Sequence, residues 1–303
     1  MTLPAGLLQK LREVQMDKGI ELAAFTEADV SALLEDDTFL GTERYHAHTT
    51  PKAIFLAGQP GAGKTELSSM MALTLGGDAA SINGDDYRRY HPNYRNLFSL
   101  YGSDAVNLIS PFSNTVVERM IEEFSDRHFH LVIEGSGRTV DVPRATAELL
   151  SKKGYTVELS AISVRPEISL ISTLLRFYKM NESGTIPRAT AAAAHDLVVQ
   201  QLPGNLDILS HISAISRLTI WNREQVLLFD SKIDRCTPSS VLLEHWNSPW
   251  LEEEIQSAEK SIALLREKEH FSRLGQEDVI DELEQRIQRV VQSQNIYPNM
   301  TFH

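Results

Sequence analysis

The sequence predicts an α/β fold: a largely parallel sheet flanked by helices, with helices before it and a helical hairpin after it. Two observations predict it. Apolar, strand-like runs recur at 53–57, 79–82, 129–133, 155–162, 217–221 and 226–229, and helical patterns separate most of them. Strands buried on both faces read as continuous apolar runs, so this alternation implies crossover units and a covered parallel sheet. The second observation is the stretch AIFLAGQPGAGKTELSS, residues 53–69, in which small and turn-forming residues join the first run to a helix.

In chain order, Leu7, Leu8, Leu11 and Val14 stand at helical spacing, and Thr26-Glu27-Ala28-Asp29 forms a capping box ahead of Val30, Leu33 and Leu34. Residues 1–50 are therefore expected as an N-terminal helical segment, with 1–24 a possible regulatory extension. The sheet domain is expected over 51–246. Beyond Trp246 the pattern becomes two helical stretches broken near Gly275, a hairpin over 247–303. Its intermittent apolar stripe fits a buttress on the sheet domain or a contact surface for a partner. No internal repeat or low-complexity segment interrupts this order.

Composition narrows the function classes. The chain has 303 residues, 42 % hydrophobic and 23 % charged, which suits a globular protein with one large core or two smaller ones. No run approaches the roughly 18 apolar residues of a membrane span, and MTLPAGLLQKLREVQ lacks a signal peptide's pattern. The expectation is a cytoplasmic protein without membrane attachment. The single cysteine, Cys236, excludes an internal disulfide and reads as a small, half-buried hydrophobe. Of the net charge of -12, residues 1–50 carry 4 basic and 9 acidic side chains and residues 247–303 carry 6 and 11. No basic cluster suited to a phosphate backbone appears, so nucleic acid is not the expected partner.

Gly58-Gln59-Pro60-Gly61-Ala62-Gly63-Lys64-Thr65 matches G-x-x-x-x-G-K-[ST] in full, between a strand and a helix as the motif requires. Glycines let backbone N–H groups converge on phosphate oxygens, and the helix N-terminus adds partial positive charge. Lys64 is placed to reach the β- and γ-phosphates of ATP, and Thr65 to offer its hydroxyl to Mg²⁺. The N-K-x-D of a GTPase is absent, and His130-Leu131-Val132-Ile133-Glu134-Gly135 is only a variant of the acidic strand end of motor ATPases. A small-molecule kinase instead needs a carboxylate for the acceptor hydroxyl and arginines for the transferring phosphoryl group.

Those groups are present. Asp85 and Asp86 in SINGDDYRRYHPNY stand where the second strand ends, and carboxyl ends of strands in an open α/β sheet are where ligands sit. Residue chemistry alone leaves open which of the two serves as base. Ile133-Glu134-Gly135-Ser136-Gly137-Arg138 closes another strand with an acid, a hydroxyl and a guanidinium, suited to a sugar or phosphate. Glu118 lies on a helical stretch whose other face carries Val116, Val117, Met120 and Ile121. Arg176 and Arg188 flank FYKMNESGTIP, a segment with lid character. His195, after four alanines, and His91, before a proline, read as packed or solvated rather than catalytic, and no His/Cys/acid cluster has zinc spacing. The residues thus point to a P-loop kinase fold and a small-molecule phosphotransferase. A nucleotide-dependent regulatory protein without phosphotransfer stays open, as does the identity of the acceptor metabolite.

GQPGAGKT, INGDDYRRYHPNY, SPFSNTVVE, VIEGSGRTVDVP, the Arg176 segment, PRATAAAAHDLVV and WNREQVLLFDS resemble, in order, the zeta toxin family of toxin–antitoxin systems, over residues 25 to 245 or so. The resemblance implies a kinase that moves the ATP γ-phosphate to the 3′-hydroxyl of the amino sugar in UDP-N-acetylglucosamine, starving peptidoglycan synthesis. By position it implies Lys64 and Thr65 as phosphate and Mg²⁺ ligands, Asp85 as base, and Glu118, Glu134 and Ser136 at the sugar nucleotide. It implies Arg176 and Arg188 at the γ-phosphate. Ser136 stands where threonine is common in the family. Such toxins are commonly neutralised by a small helical antitoxin, a role the N-terminal helix of this chain could take in cis.

Overall fold

The computed structural model describes residues 17–186 and 191–296. The helix expected over 7–15 and Arg188 lie outside the described residues. Six strands form one sheet: β1 Lys52–Ala57, β2 Ala79–Asn83, β3 His130–Glu134, β4 Thr156–Ser163, β5 Ile215–Asn222 and β6 Leu227–Asp230. All six apolar runs are strands, displaced by at most two residues at their ends. Their order is β2-β3-β1-β4-β5-β6, and only β6 runs antiparallel, against β5.

The described helices of eight residues or more are α1 Glu27–Leu34, α2 Lys64–Thr74, α3 Tyr94–Tyr101, α4 Ala105–Asp126, α5 Asp141–Lys152, α6 Pro166–Glu182, α7 Ala192–Ser210, α8 Pro238–Asn247, α9 Glu252–Ser272 and α10 Glu277–Ile296. The period of two along β1 sends Ile54 and Leu56 to one face, where Leu67 and Met71 of α2 cover them. It sends Ala53, Phe55 and Ala57 to the other, packed with Phe112 and Val116 of α4, Leu150 of α5 and Leu202 of α7. From β1 the chain crosses to β2, returns to β3, and then passes beyond β1 to β4. Connections thus leave β1 and β3 in opposite directions and open a crevice at their carboxyl ends.

The capping box of α1 forms as the sequence predicts: Asp29 N donates to Thr26 Oγ1 and Thr26 N to Asp29 Oδ2 at 2.7 Å. Residues 17–22 are helical. Leu22 O and Ala23 O accept from Asn93 Nδ2 at 2.9 Å and His91 Nε2 at 3.1 Å, so this segment rests beside α3. The two C-terminal helices turn at Gly275, with φ of 76°. They pack on α6, through Ala258, Ile262, Leu265, Ile280, Leu283 and Ile287, against Leu170, Leu174, Phe177 and Tyr178. The hairpin therefore supports a helix that leaves the sheet, not the sheet itself. Cys236 is exposed, contrary to expectation, because it falls in the short connection between β6 and α8. No described helix is long and apolar enough to cross a membrane.

Asp230 closes β6 in a buried ion pair. Arg217 Nη2 donates to its Oδ2 at 2.7 Å and Nε to its Oδ1 at 3.1 Å, which holds the carboxyl below its ordinary range. Asp230→Ala is expected to destabilise the fold by about 2 to 3 kcal/mol at pH 7, since it leaves a half-buried guanidinium with the looser pairing to Glu158, at 3.8 Å, in place of the close one. Because the folded value lies below the unfolded one, the contribution is complete above about pH 3.9 and fades as pH falls through the folded value. Urea midpoints should therefore separate variant from parent at pH 7 and draw together at pH 3. An equal gap at both would remove the ion pair as cause.

Candidate active site

Strand register brings the functional motifs to one level. Leu56 pairs with Glu134, and Glu134 with Asn83, so the ends of β1, β3 and β2 stand side by side. The loop after β1 is tied to the loop after β3 by Gly58 N donating to Ser136 O at 3.2 Å and Gly135 N to Leu56 O at 3.0 Å.

Within the P-loop, Gly61 and Gly63 take φ of 77° and 99°, the region that side chains disfavour. A Cβ on Gly61 would lie 2.1 Å from Ser169 O of α6, so the loop touches that helix with no room to spare. Gly61→Ala is expected to cost well over the roughly 1–2 kcal/mol of the backbone conformation alone. Gly76→Ala, at the same φ of 77° with nothing within 4 Å, should show only the conformational cost. Melting curves of the two variants compare them, and equal losses would mean the clash relaxes freely. Pro60 precedes this contact, and Ala62 is buried against Leu67, Met71 and Ile162. Gln59 is fully buried beneath the loop, donating to Val164 O at 2.6 Å.

Lys64 opens α2, and its Nζ donates to Gly58 O at 2.9 Å and Gln59 O at 3.3 Å, which folds the ammonium back over the loop. Glu134 Oε1 lies 4.0 Å from it. Burial pushes the lysine down and the glutamate up, and each opposes the shift of the other. Thr65 follows, exposed in the first turn of α2.

Asp85 sits in the one-turn helix Gly84–Tyr87 directly after β2. Asn83 Oδ1 accepts from Asp85 N at 3.0 Å while Asn83 Nδ2 donates to Glu134 Oε2 at 3.1 Å, so one amide links both acidic motifs. Arg88 Nη2 pairs with Asp85 Oδ1 at 2.6 Å, and the Asp85 side chain keeps 45 % of its surface exposed. Asp86 pairs more loosely, with Arg89 at 3.7 Å. The charge of Asp85 reaches Lys64, and Asp85 and Asp86 both act on Glu134. Glu118, exposed on α4, follows Val117, whose Cγ2 lies 3.3 Å from the Cβ position of Gly84. Arg176 is exposed on α6, and its charge acts on both Lys64 and Glu134.

Ser136 Oγ accepts from Arg138 N at 3.3 Å, and the Arg138 side chain is exposed. Gly137, at φ of 72°, packs so closely under Leu202 that a Cβ would come within 2.5 Å of Leu202 Cδ1. The sequence reading missed Asn83, Arg88, Asn205 and Arg223. Asn205 Nδ2 donates to Gly137 O and Arg138 O at 2.9 and 2.7 Å, fixing the loop after β3. Arg223 Nη2 donates to Gly61 O and to Ser172 Oγ, bridging the P-loop to α6 from the β5–β6 turn. Asn83, Arg88 and Arg223 all lie inside quoted motifs, where only their partners would have singled them out; Asn205 had no local signal.

The arrangement sets a phosphate-binding loop and its lysine beside two linked carboxylates and an arginine. Comparison with known proteins agrees with it. A model of the zeta toxin family matches residues 36–234. The chain is 34 % identical to Toxin PezT of Streptococcus pneumoniae serotype 4 over 255 residues, covering 82 % of this chain and 100 % of that relative. It is 36 % identical to Toxin zeta of Streptococcus pyogenes over 234 residues, 77 % of this chain and 82 % of the relative. Its fold is similar to that in the structure of the PezAT chromosomal toxin–antitoxin system of S. pneumoniae, with a TM-score of 0.71 and 32 % identity over 81 % of this chain and 99 % of that one. The native AvrRxo1-ORF1:-ORF2 complex matches at a TM-score of 0.51 and 15 % identity over 86 % and 84 %, a likeness of fold alone.

Proposed function

The chain belongs to the zeta toxin family, and on that premise we propose that it transfers the ATP γ-phosphate to the 3′-hydroxyl of the amino sugar of UDP-N-acetylglucosamine and so inhibits peptidoglycan synthesis. The observation that carries this reading is the meeting of Lys64, Glu134 and Asp85 at the carboxyl ends of three adjacent strands. The sugar nucleotide comes from the ordered resemblance of the motifs, not from this geometry.

Asp85 accepts the proton of the acceptor hydroxyl as its oxygen bonds to the γ-phosphorus; the bond from that phosphorus to the bridging oxygen breaks and ADP leaves. Such transfer is largely dissociative, so holding the groups in line matters more than base strength. Asn83 and Arg88 supply that hold on Asp85. Glu118, Glu134, Ser136 and Arg138 face the acceptor side, and Arg176 with Arg188 neutralises charge on the transferring group. Mg²⁺ would be held by Thr65, whose hydroxyl lies in the exposed first turn of α2, and would offset phosphate charge. Among the described residues no group of three or more His, Cys, Asp or Glu is placed to hold a metal by itself.

Incubation with ATP, Mg²⁺ and a panel of UDP-sugars, read by mass, tests the acceptor. A product heavier by one phosphate from UDP-N-acetylglucosamine alone is expected; ATP binding with no phosphorylated sugar would favour a nucleotide-dependent regulator. Arg176→Ala should lower turnover about 10²-fold with little change in ATP affinity, as for loss of one group that acts on developing charge. Equal turnover would remove Arg176 from that role. The partner is an antitoxin, as the toxin–antitoxin system of the S. pneumoniae relative suggests, or the N-terminal extension acting in cis. Deleting residues 1–24 decides between them: raised activity and toxicity support the cis arrangement, and unchanged values end it.

A further inference from the structure

A line of polar side chains, buried over most of its length, runs from the P-loop to the C-terminal hairpin. Gln59 Nε2 donates to Ser169 Oγ at 3.3 Å, Ser169 Oγ lies 2.7 Å from His195 Nε2, and His195 Nδ1 lies 3.0 Å from Asp196 Oδ1. Arg286 of α10 closes it with a fork, Nη1 and Nη2 at 3.1 and 2.6 Å from the two oxygens of Asp196. Gln59, Ser169 and His195 are fully buried. The members come from the P-loop, α6, α7 and α10, and no step of the line serves the hydrogen bonding of a sheet or helix.

Donor and acceptor chemistry gives the line one direction. A carboxylate only accepts, so His195 Nδ1 carries the proton of the neutral ring and Nε2 accepts from the Ser169 hydroxyl at 2.7 Å, the shorter of that hydroxyl's two acceptor contacts, the other being Pro166 O at 2.9 Å; Ser169 Oγ in turn accepts from Gln59. Three charged groups act on the ring: Asp196 on its own helix, Arg286 from α10 and Lys64 from α2. Burial pushes the imidazole down, both cations add to that, and Asp196 opposes them. Ser169 also meets the loop a second time, since its carbonyl oxygen is the atom against which Gly61 is packed. Shifting Ser169 therefore shifts the loop at two places.

We propose that His195 is a positioning residue for the P-loop, and that Arg286 of the C-terminal hairpin sets the loop's geometry for nucleotide through Asp196, His195 and Ser169. This rests on the reading of the P-loop as an ATP site and not on the identity of the acceptor. It gives α10 a role in nucleotide affinity although it lies far from β1 in sequence.

The test uses the full chain and measures ATP affinity by calorimetry, without acceptor, so that a wrong acceptor has no bearing on it. Arg286→Ala is expected to weaken ATP binding about 5-fold to 10-fold, a coupling of ordinary size between linked sites. Arg266→Ala is the control, because Arg266 pairs with Asp281 and Glu284 on the same hairpin outside the line and should leave affinity unaltered. His195→Gln keeps an amide near Ser169, whereas His195→Asn keeps one near Asp196 and leaves Ser169 alone; the asparagine variant should bind ATP more weakly. In the His195→Asn background Arg286→Ala should cost nothing further, since neighbours on one line are not additive. Removing Arg286 also takes away one cation that depresses the ring, so the acid limb of ATP affinity should move to higher pH. Unaltered affinity in Arg286→Ala, or additive losses in the double variant, overturns the proposal. Should His195→Asn fail to fold, judged by circular dichroism, Arg286→Ala and Ser169→Ala decide it: weakened binding in both supports it, and parental affinity in either overturns it. Absence of ATP binding in the parent chain would overturn the P-loop reading as well.

Discussion

Lys64→Ala is expected to lower phosphate transfer about 10³-fold and to weaken ATP binding with it, because the same ammonium meets the phosphates in the ground state and in the transition state. Its position supports both roles. Nζ is held by the loop's own carbonyls, Gly58 O and Gln59 O, at the end of β1, and it stands 4.0 Å from Glu134. The substitution has a second effect that must be kept apart from the first. Glu134 has 17 % of its side chain exposed, and without Lys64 that carboxylate loses its nearby opposite charge. Burial already pushes it up, so it will take a proton more readily, at a cost in stability of about 1–2 kcal/mol. Adding Glu134→Gln to Lys64→Ala should restore the melting temperature and leave transfer lost. Activity that returned with stability would show that the lysine acts by holding the fold. ATP affinity of the single variant equal to that of the parent would remove the lysine from the phosphates.

The sheet was legible in the sequence for a physical reason. Its strands are covered on both faces, so Ile54, Leu56 and Phe55 of β1 or Leu131, Val132 and Ile133 of β3 appear as unbroken apolar runs that need no partner to be seen. The P-loop was legible because its geometry is local: glycines at positive φ and a lysine one residue into a helix fit in eight positions. Acids at strand ends were legible for the same reason, since a strand and its last residue are adjacent in the chain. What joins these pieces was not. Asn83 reaches Glu134 across 51 residues, Asn205 reaches Gly137 across 68 and Arg223 reaches Gly61 across 162. His195 shows the limit most clearly. Asp196 follows it directly, but Ser169 stands 26 residues before it and Arg286 stands 90 beyond Asp196, and a histidine whose distant partners are unseen reads as packed or solvated. The C-terminal hairpin was foreseen as two helices, but its seat on α6 depends on Leu170, Leu174 and Phe177, which a sequence reading would equally assign to packing on the sheet.

Asp85→Asn should abolish most transfer, by about 10³-fold or more, while ATP binds as before, because a general base acts on the acceptor and not on the nucleotide. Asparagine keeps the size and one acceptor oxygen for Arg88, and Asp85 N still donates to Asn83, so the turn after β2 should hold its shape. Asp86 is the competitor for the role, and the two differ in their surroundings. Asp85 is gripped at 2.6 Å and its charge acts on Lys64, whereas Asp86 is paired at 3.7 Å. A base must be fixed beside the acceptor oxygen, since the gain from orientation is lost when the group swings. Asp86→Asn is therefore expected to keep transfer within a few-fold of the parent. Full activity in Asp85→Asn with a large loss in Asp86→Asn would move the base by one residue. Comparable losses in both would point instead to the turn as a whole, and Asn83→Ala, which uncouples it from Glu134, should then cost as much as either.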